Sequence, residues 1–251
     1  MKDKVLIVGY GIVGHNLAEE IKKVEPDIYD KYKTEFNTKK EQKYDITFIC
    51  VDTPLTENND LDITEVRNAL YENDSEIYVL KSTCPIGTVE MLSKETGKTV
   101  LFSPEYYGNT QHCNNFDFDF TIVGGEKTAC RKVIQLLQHC YDGRHIFRIT
   151  DGRTAELVKF MENSFLATKV SFCVAFWELC KKHNISYEEL RELFLLDQRV
   201  GKSHTFVYDK TPYWDTHCLN KDVPYIAYGD GSDFLQEVCK YNTKQKKLFK
   251  K

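Results

Sequence analysis

Short runs of consecutive apolar residues alternate with longer amphipathic stretches over the first three-fifths of the chain. Val5-Leu6-Ile7-Val8, Asp27-Ile28-Tyr29, Tyr44 to Val51, Ile77 to Leu80, Thr99 to Phe102 and Phe120 to Val123 read as strands, mostly buried. Helical spacing fills the gaps, as in the stretch up to Lys23, Ile63 to Tyr71 and Val89 to Glu95. This alternation predicts an α/β fold, a Rossmann-type and mostly parallel sheet covered by helices, with Phe120 to Val123 as its sixth and closing strand. After Ile149 the texture changes. From Thr154 to about His183 no glycine or proline interrupts an apolar helical pattern, and Thr150 or Asp151 is placed to cap it. A helix of about 28 residues spans about 42 Å, too long to flank one small domain. A second helix is expected over Tyr187 to Leu196, then an irregular, aromatic-rich loop to Cys218. The last helix runs from about Asp233 towards Lys247 behind a Ser232 cap. The chain is therefore expected to hold a sheet domain over 1–150 and a helical domain over 151–251, the second built on one long helix.

Composition changes this picture little. At 251 residues with 41% hydrophobic and 29% charged positions, the chain can bury a substantial core. A formal net charge of -4 gives no bulk attraction to nucleic acid. The one basic run, Lys244 to Lys251, reads as a solvated or frayed tail. No apolar run approaches the roughly 20 residues of a membrane span. The N-terminus enters a strand without a signal core, so a cytoplasmic protein with no membrane partner is expected. Nine cysteines, odd in number, irregularly spaced and without a Cys-x-x-Cys pair, argue for reduced thiols and against a disulfide framework or a metal site.

The chemistry is concentrated in a few places. Gly9-Tyr10-Gly11-Ile12-Val13-Gly14 lies between a strand and a helix, the context in which G-x-G-x-x-G binds a dinucleotide. Gly9 allows the tight turn, Gly11 lets backbone approach a pyrophosphate, and Gly14 permits close helix–strand packing. Asp30 closes the second strand, where an acid accepts ribose hydroxyls and favours NAD over NADP. Polar residues follow the later strands: Val51, Thr53 and Pro54, then Ser82 and Thr83, then Glu105 and Tyr106. In an open parallel sheet, that edge is where ligands bind. Near the other end, His217-Cys218-Leu219-Asn220-Lys221-Asp222 places a thiol, an amine and a carboxylate within five residues. A nearby cation such as Lys221 activates a thiolate, although most free cysteines are inert buried hydrophobes. Lys159 and Asn163 stand four apart on the long helix, hence on one face; a lysine there either snorkels or is half buried among Leu157, Val158, Phe160 and Met161.

Together the GYGIVG loop, KSTCPIGT turn, SPEY segment, AELVKFMEN helix, DQRVG and CLNKD resemble the UDP-glucose/GDP-mannose dehydrogenase family over nearly the whole chain and in the same order. The resemblance implies NAD-dependent oxidation of a nucleotide-sugar C6 alcohol to a uronic acid, UDP-glucose to UDP-glucuronate foremost, through two hydride transfers and a thiol adduct. Cys218 then corresponds to the nucleophile, Lys159 and Asn163 to oxyanion stabilisers, Asp222 and Thr83 to a water-holding pair, and Glu105 to the carboxylate of thioester hydrolysis. Tyr106, Trp214 and Lys221 fall at the sugar, and Arg199 matches an arginine that reaches a partner's site in a homodimer built on the long helix. Three departures stand out. Asp215 and Thr216 occupy positions that are glycine in the family, Asn109 replaces a second glutamate, and the chain ends before the expected nucleotide-holding α/β domain. Two alternatives remain: a single-step hydroxyacid-type dehydrogenase in which Cys218 is structural, and a degenerate module that binds NAD or a partner without turnover.

Overall fold

The computed structural model describes residues 3–37, 42–107 and 118–250. Seven strands form one sheet in the order β2-β1-β3-β4-β5-β6-β7. They are β1 (Val5–Val8), β2 (Asp27–Tyr29), β3 (Tyr44–Ile49), β4 (Ser75–Leu80), β5 (Thr99–Phe102), β6 (Phe120–Gly124) and β7 (Ile146–Thr150). Every pairing is parallel except that of β5 with β6, where Phe102 faces Gly124 in antiparallel register. The expected fold class holds, but the sheet does not close at the sixth strand. β7 adds to its edge in parallel register, Phe120 opposite Ile146. Being an edge strand with exposed Ile146, Arg148 and Ile149, it lacks the continuous apolar run that marked the others.

Strand alternation divides the apolar residues between two faces. Val5, Ile7, Ile46, Phe48, Ile77 and Val79 pack beneath α1 (Ile12–Glu20) and α4 (Lys127–Gln138). Leu6, Val8, Ile49, Tyr78 and Leu80 pack beneath α2 (Thr64–Glu72) and α3 (Thr88–Thr96). With both faces covered, the central strands are apolar along their length.

The long helix, α5, runs from Gly152 to His183, 32 residues. Asp151 rather than Thr150 caps it, accepting the Thr154 amide at 2.9 Å and the Thr154 hydroxyl at 2.7 Å. Its last turn carries Lys181, Lys182 and His183, matched to the negative end of the helix dipole, and Asn184 then turns left-handed at φ 57°. The described chain divides into two compact units within α5, after Lys159: one holds 3–37, 42–56, 61–107 and 118–159, the other 57–60 and 160–250. The second unit comprises the rest of α5 with α6 (Tyr187–Phe194), α7 (His217–Pro224) and α8 (Asp233–Phe249). Its own core joins Ala167, Val170, Val174 and Trp177 to Trp214, Leu219, Val223 and Val238.

Two expectations at the C-terminal end are corrected, the frayed tail and the Ser232 cap. The stretch from Cys218 is helical, with a turn of π-helix following at Tyr225–Gly229. The basic run is no frayed tail, since α8 continues through Phe249. Ser232 stands at the N-cap of α8 without a side-chain capping bond. No helix of the described residues is long and apolar enough to cross a membrane. No group of three or more His, Cys, Asp or Glu among the described residues is arranged to hold a metal ion. The eight cysteines among those residues are free thiols.

One buried carboxylate ties α5 to the start of α3. Glu156 is fully buried and accepts the amides of Gly87 and Val89, the latter at 2.8 Å. Burial raises its pKa from 4.5 to about 6, against the pull of those two amides. The folded state therefore holds this proton more tightly than the unfolded chain does. The group's stabilising contribution is full below pH 4.5 and is lost as pH rises through about 6. Denaturation of wild type and Glu156→Gln in parallel is expected to show the difference moving in the variant's favour over that interval; a pH-independent difference would refute the assignment.

Candidate active site

The chain leaves β1 for β2 on one side and reaches β3 on the other. The C-terminal ends of β1 and β3 thus flank the switch point at which open α/β sheets bind ligands. The glycine loop after β1 is shaped by its own backbone. Gly9 has φ +89°, and a Cβ on it would lie 2.7 Å from the Cys50 carbonyl oxygen. A Cβ on Gly14 would lie 1.9 Å from the Gly9 carbonyl oxygen, whereas one on Gly11 would meet nothing within 4 Å. Gly9 and Gly14 are therefore required by packing, and Gly11 leaves a clearing at the N-terminus of α1. That terminus has no side-chain cap, so its first-turn amides suit a phosphate.

Asp30 accepts the Tyr10 amide on one oxygen at 2.7 Å and the Tyr32 amide on the other at 2.9 Å. A carboxylate has about four lone-pair sites, so capacity for ribose hydroxyls remains. Tyr10 is pinned further by Lys33, which donates to its carbonyl at 2.6 Å, and by the Phe36 ring at 4.6 Å. Ile12 is exposed and Val13 half-buried on the first turn of α1. The hydroxyls of Thr53 and Ser82 are spent on backbone. Thr53 donates to the Thr83 carbonyl at 2.7 Å and Ser82 to the Val51 carbonyl at 2.6 Å, which lashes together the loops after β3 and β4. Pro54, at the edge of that loop, is exposed. The clearing, the helix terminus and the acid fit an adenine dinucleotide.

Beyond β4 and β5 lie the polar residues of the same unit. Thr83 and Glu105 are buried, and Glu105 accepts the Tyr107 amide at 2.8 Å. Lys159 is only 4% exposed, so it does not snorkel, and its ammonium lies 5.1 Å from the Tyr106 ring centre. Lys81 escaped the sequence reasoning. It is buried at the end of β4, and its ammonium donates to the Ser103 hydroxyl at 3.2 Å. Burial pushes that ammonium below the usual lysine range, with Cys50, Glu20 and Glu105 opposing the shift and Lys159 reinforcing it. Its signal in the sequence was its place at the head of the KSTCPIGT turn, closing an otherwise apolar strand.

The second unit holds the thiol. Thr216 caps α7, accepting the Leu219 amide at 3.2 Å, and Cys218 occupies the second position of that helix, half-buried. Amides at a helix N-terminus favour negative charge on such a sulfur. Asp222, fully buried, accepts Asn163 Nδ2 at 2.6 Å and Lys221 Nζ at 2.8 Å on its two oxygens. Trp214 is placed in the core of this unit, its indole donating to the Ser171 hydroxyl at 3.1 Å. Arg199 is exposed and folded back on Asp197, with the closest contact at 2.6 Å. Asn109 lies outside the described residues.

Both matching family models describe domains of one family. Residues 3–142 match the NAD binding domain of the UDP-glucose/GDP-mannose dehydrogenase family, and residues 153–243 match its central domain. An uncharacterized protein of Methanocaldococcus jannaschii is 30% identical over 174 residues, which cover 62% of this chain and 19% of that one. The UDP-glucose 6-dehydrogenase of Pseudomonas aeruginosa is 28% identical over 227 residues, covering 81% and 49%. Among solved structures, a UDP-glucose dehydrogenase from the hyperthermophilic archaeon Pyrobaculum islandicum superposes with a TM-score of 0.78 at 20% identity, over 99% of this chain and 68% of that one. At such identity the likeness is one of fold. The chain spans less than half the length of these two curated relatives. The matched domain and the loop geometry make NAD the cofactor.

The two kinds of glycine separate experimentally. Gly11→Ala is expected to cost the fold less than about 1 kcal/mol while weakening NAD binding at least about tenfold. Gly14→Ala is expected to destabilise the fold itself, by about 3 kcal/mol or more. Thermal melts with NAD titration check both, and comparable melting losses in the two variants would contradict this division.

Proposed function

This chain belongs to the UDP-glucose/GDP-mannose dehydrogenase family, and we propose that it oxidises the C6 alcohol of a nucleotide sugar, UDP-glucose foremost, to the uronic acid. What carries the proposal is the arrangement in the helical unit: a thiol in the first turn of α7, followed by a buried Asn163–Asp222–Lys221 network. A buried carboxylate bonded to two donors is costly to assemble merely for stability.

NAD, when bound, supplies the hydride acceptor for both oxidations. The protein's residues do the rest. After the first oxidation the sugar carries an aldehyde, and the Cys218 thiolate adds to its carbonyl carbon to form a thiohemiacetal. Oxidation of that adduct leaves a thioester; water attacks it, the C–S bond breaks, and the acid leaves with the thiol regenerated. Lys159 stabilises the oxyanions formed at each addition, and Asn163 donates a hydrogen bond to them. Thr83 and Asp222 hold the water and move its proton, and Glu105 assists hydrolysis. Tyr106, Lys221 and Trp214 are assigned to the sugar side. Direct contact suits Tyr106, which lies beneath the Lys159 ammonium, while Trp214 acts from within the core.

The same proposal includes a homodimer built on α5. Met161, Phe165, Phe172, Phe176 and Leu179 are 42–74% exposed on that helix, an apolar face of the kind that marks an interaction surface. Arg199, with its side chain 89% exposed, is free to move from Asp197 to the partner's site.

Two measurements test these assignments. With UDP-glucose, two NADH are expected per sugar consumed, and Cys218→Ala should lower turnover by about three orders of magnitude. One NADH per sugar, or equal rates in the two proteins, would exclude the thiol route. Sedimentation of Phe172→Glu is expected to show a monomer where the parent chain is a dimer; an unchanged mass would remove α5 from the interface.

A further inference from the structure

Cys218 lies in a turn whose two flanks are held by a single side chain from α8. On one flank, Lys246 Nζ donates to Asp215 Oδ1 at 2.8 Å. On the other, the same ammonium donates to Asn220 Oδ1 at 2.9 Å. Asn220 Nδ2 closes the ring on Asp215 Oδ1 at 2.8 Å, and Lys250 takes Asp215 Oδ2 at 3.0 Å. One turn earlier on α8, buried Asn242 grips the backbone of Trp214 in both directions. It accepts the Trp214 amide at 2.9 Å and donates to the Trp214 carbonyl at 3.0 Å. The Lys246 ammonium also stands 5.4 Å from the Trp214 ring.

A lone ion pair at the surface contributes little. Three observations distinguish this one. A single ammonium bonds residues on both sides of the turn, so it fixes a conformation and does more than add a contact. The side chains of Lys246 and Asp215 are 23% and 32% exposed, hence partly shielded from solvent. Lys246 first, then Asn220 and Lys250, hold the Asp215 carboxyl well below the usual carboxylate range.

We propose that Lys246 is a positioning residue for the Cys218 thiol, its ammonium locking the Asp215–Asn220 turn so that the first-turn amides of α7 stay directed at the sulfur. The proposal rests on the assignment of Cys218 as nucleophile. Without the lock the turn frays and the thiolate loses those donors.

Alkylation of Cys218 by iodoacetamide, followed by peptide mass spectrometry across the pH range in the full chain, tests the proposal without any substrate. His217, Lys221 and Asp222 on α7 stay unchanged throughout, and buried Cys239 on α8 is the internal control. Lys246→Met is expected to move the pH of half-maximal rate upward by about half a unit, the size of a helix-terminus interaction. Asp215→Ala is expected to move it upward too, and Lys246→Arg to restore the parent value. Through-space charge alone makes the opposite forecast for Asp215→Ala, because removing a nearby anion lowers that pH. Shifts of opposite sign overturn positioning, as do unchanged midpoints in both variants. Cys239 becoming reactive together with Cys218 also overturns it, since that marks general loosening. If Cys218 has no part in turnover, the sign appears elsewhere, in equal NADH production by Cys218→Ala.

Discussion

A carboxylate excluded from water is tolerable only with donors on both oxygens, and Asp222 imposes that condition on the helical unit. One donor comes from α5 through Asn163, the other from its own helix through Lys221. Satisfying Asp222 therefore fixes how far α7 can slide or rotate against α5. Because α7 begins at His217, that restriction also sets where the thiol of Cys218 lies. Withdrawing the Lys221 ammonium strands a buried charge, a loss on the order of 3–5 kcal/mol, and withdrawing the Asn163 amide leaves one carboxylate oxygen without that donor, about 1.5–3 kcal/mol. The network and the nucleophile are thus hard to vary separately.

The loop-to-helix turn at Thr216 extends the same economy. Two side chains there act on backbone and helix ends. Thr216 caps α7, and Asp215 faces the lysines of α8. A turn that could be mobile is instead tied at several points, including the backbone of Trp214 through Asn242.

What the sequence revealed was what consecutive or periodic residues encode. β1, β3, β4 and β5 were legible because buried parallel strands are apolar throughout, and the glycine loop because its spacing is local. β7 was not, since an exposed edge interrupted by Arg148 resembles a loop. The helix at Cys218 was hidden by Pro224 and by the aromatic stretch before it. In the site, residue types were readable and their partners were not. Trp214 stood out as an aromatic before the cysteine, but its indole bonds Ser171, 43 residues away, and such distance leaves no local pattern. Thr53 and Ser82 were placed at the right edge, yet their hydroxyls bond loop carbonyls 30 and 31 residues away.

The glycine loop carries a broader lesson about what a motif can testify to. Gly14 is glycine because Gly9's own carbonyl occupies the space its side chain would need, and Gly9 is held in turn by its conformation and by Cys50. Both demands come from the fold itself. A descendant that had stopped using the dinucleotide altogether would still be obliged to keep these two positions, and to a casual reader its sequence would still advertise a cofactor. Gly11 alone is under no such obligation. Among diverging relatives of this chain, it is the middle glycine whose survival or loss would record whether the ligand is still bound.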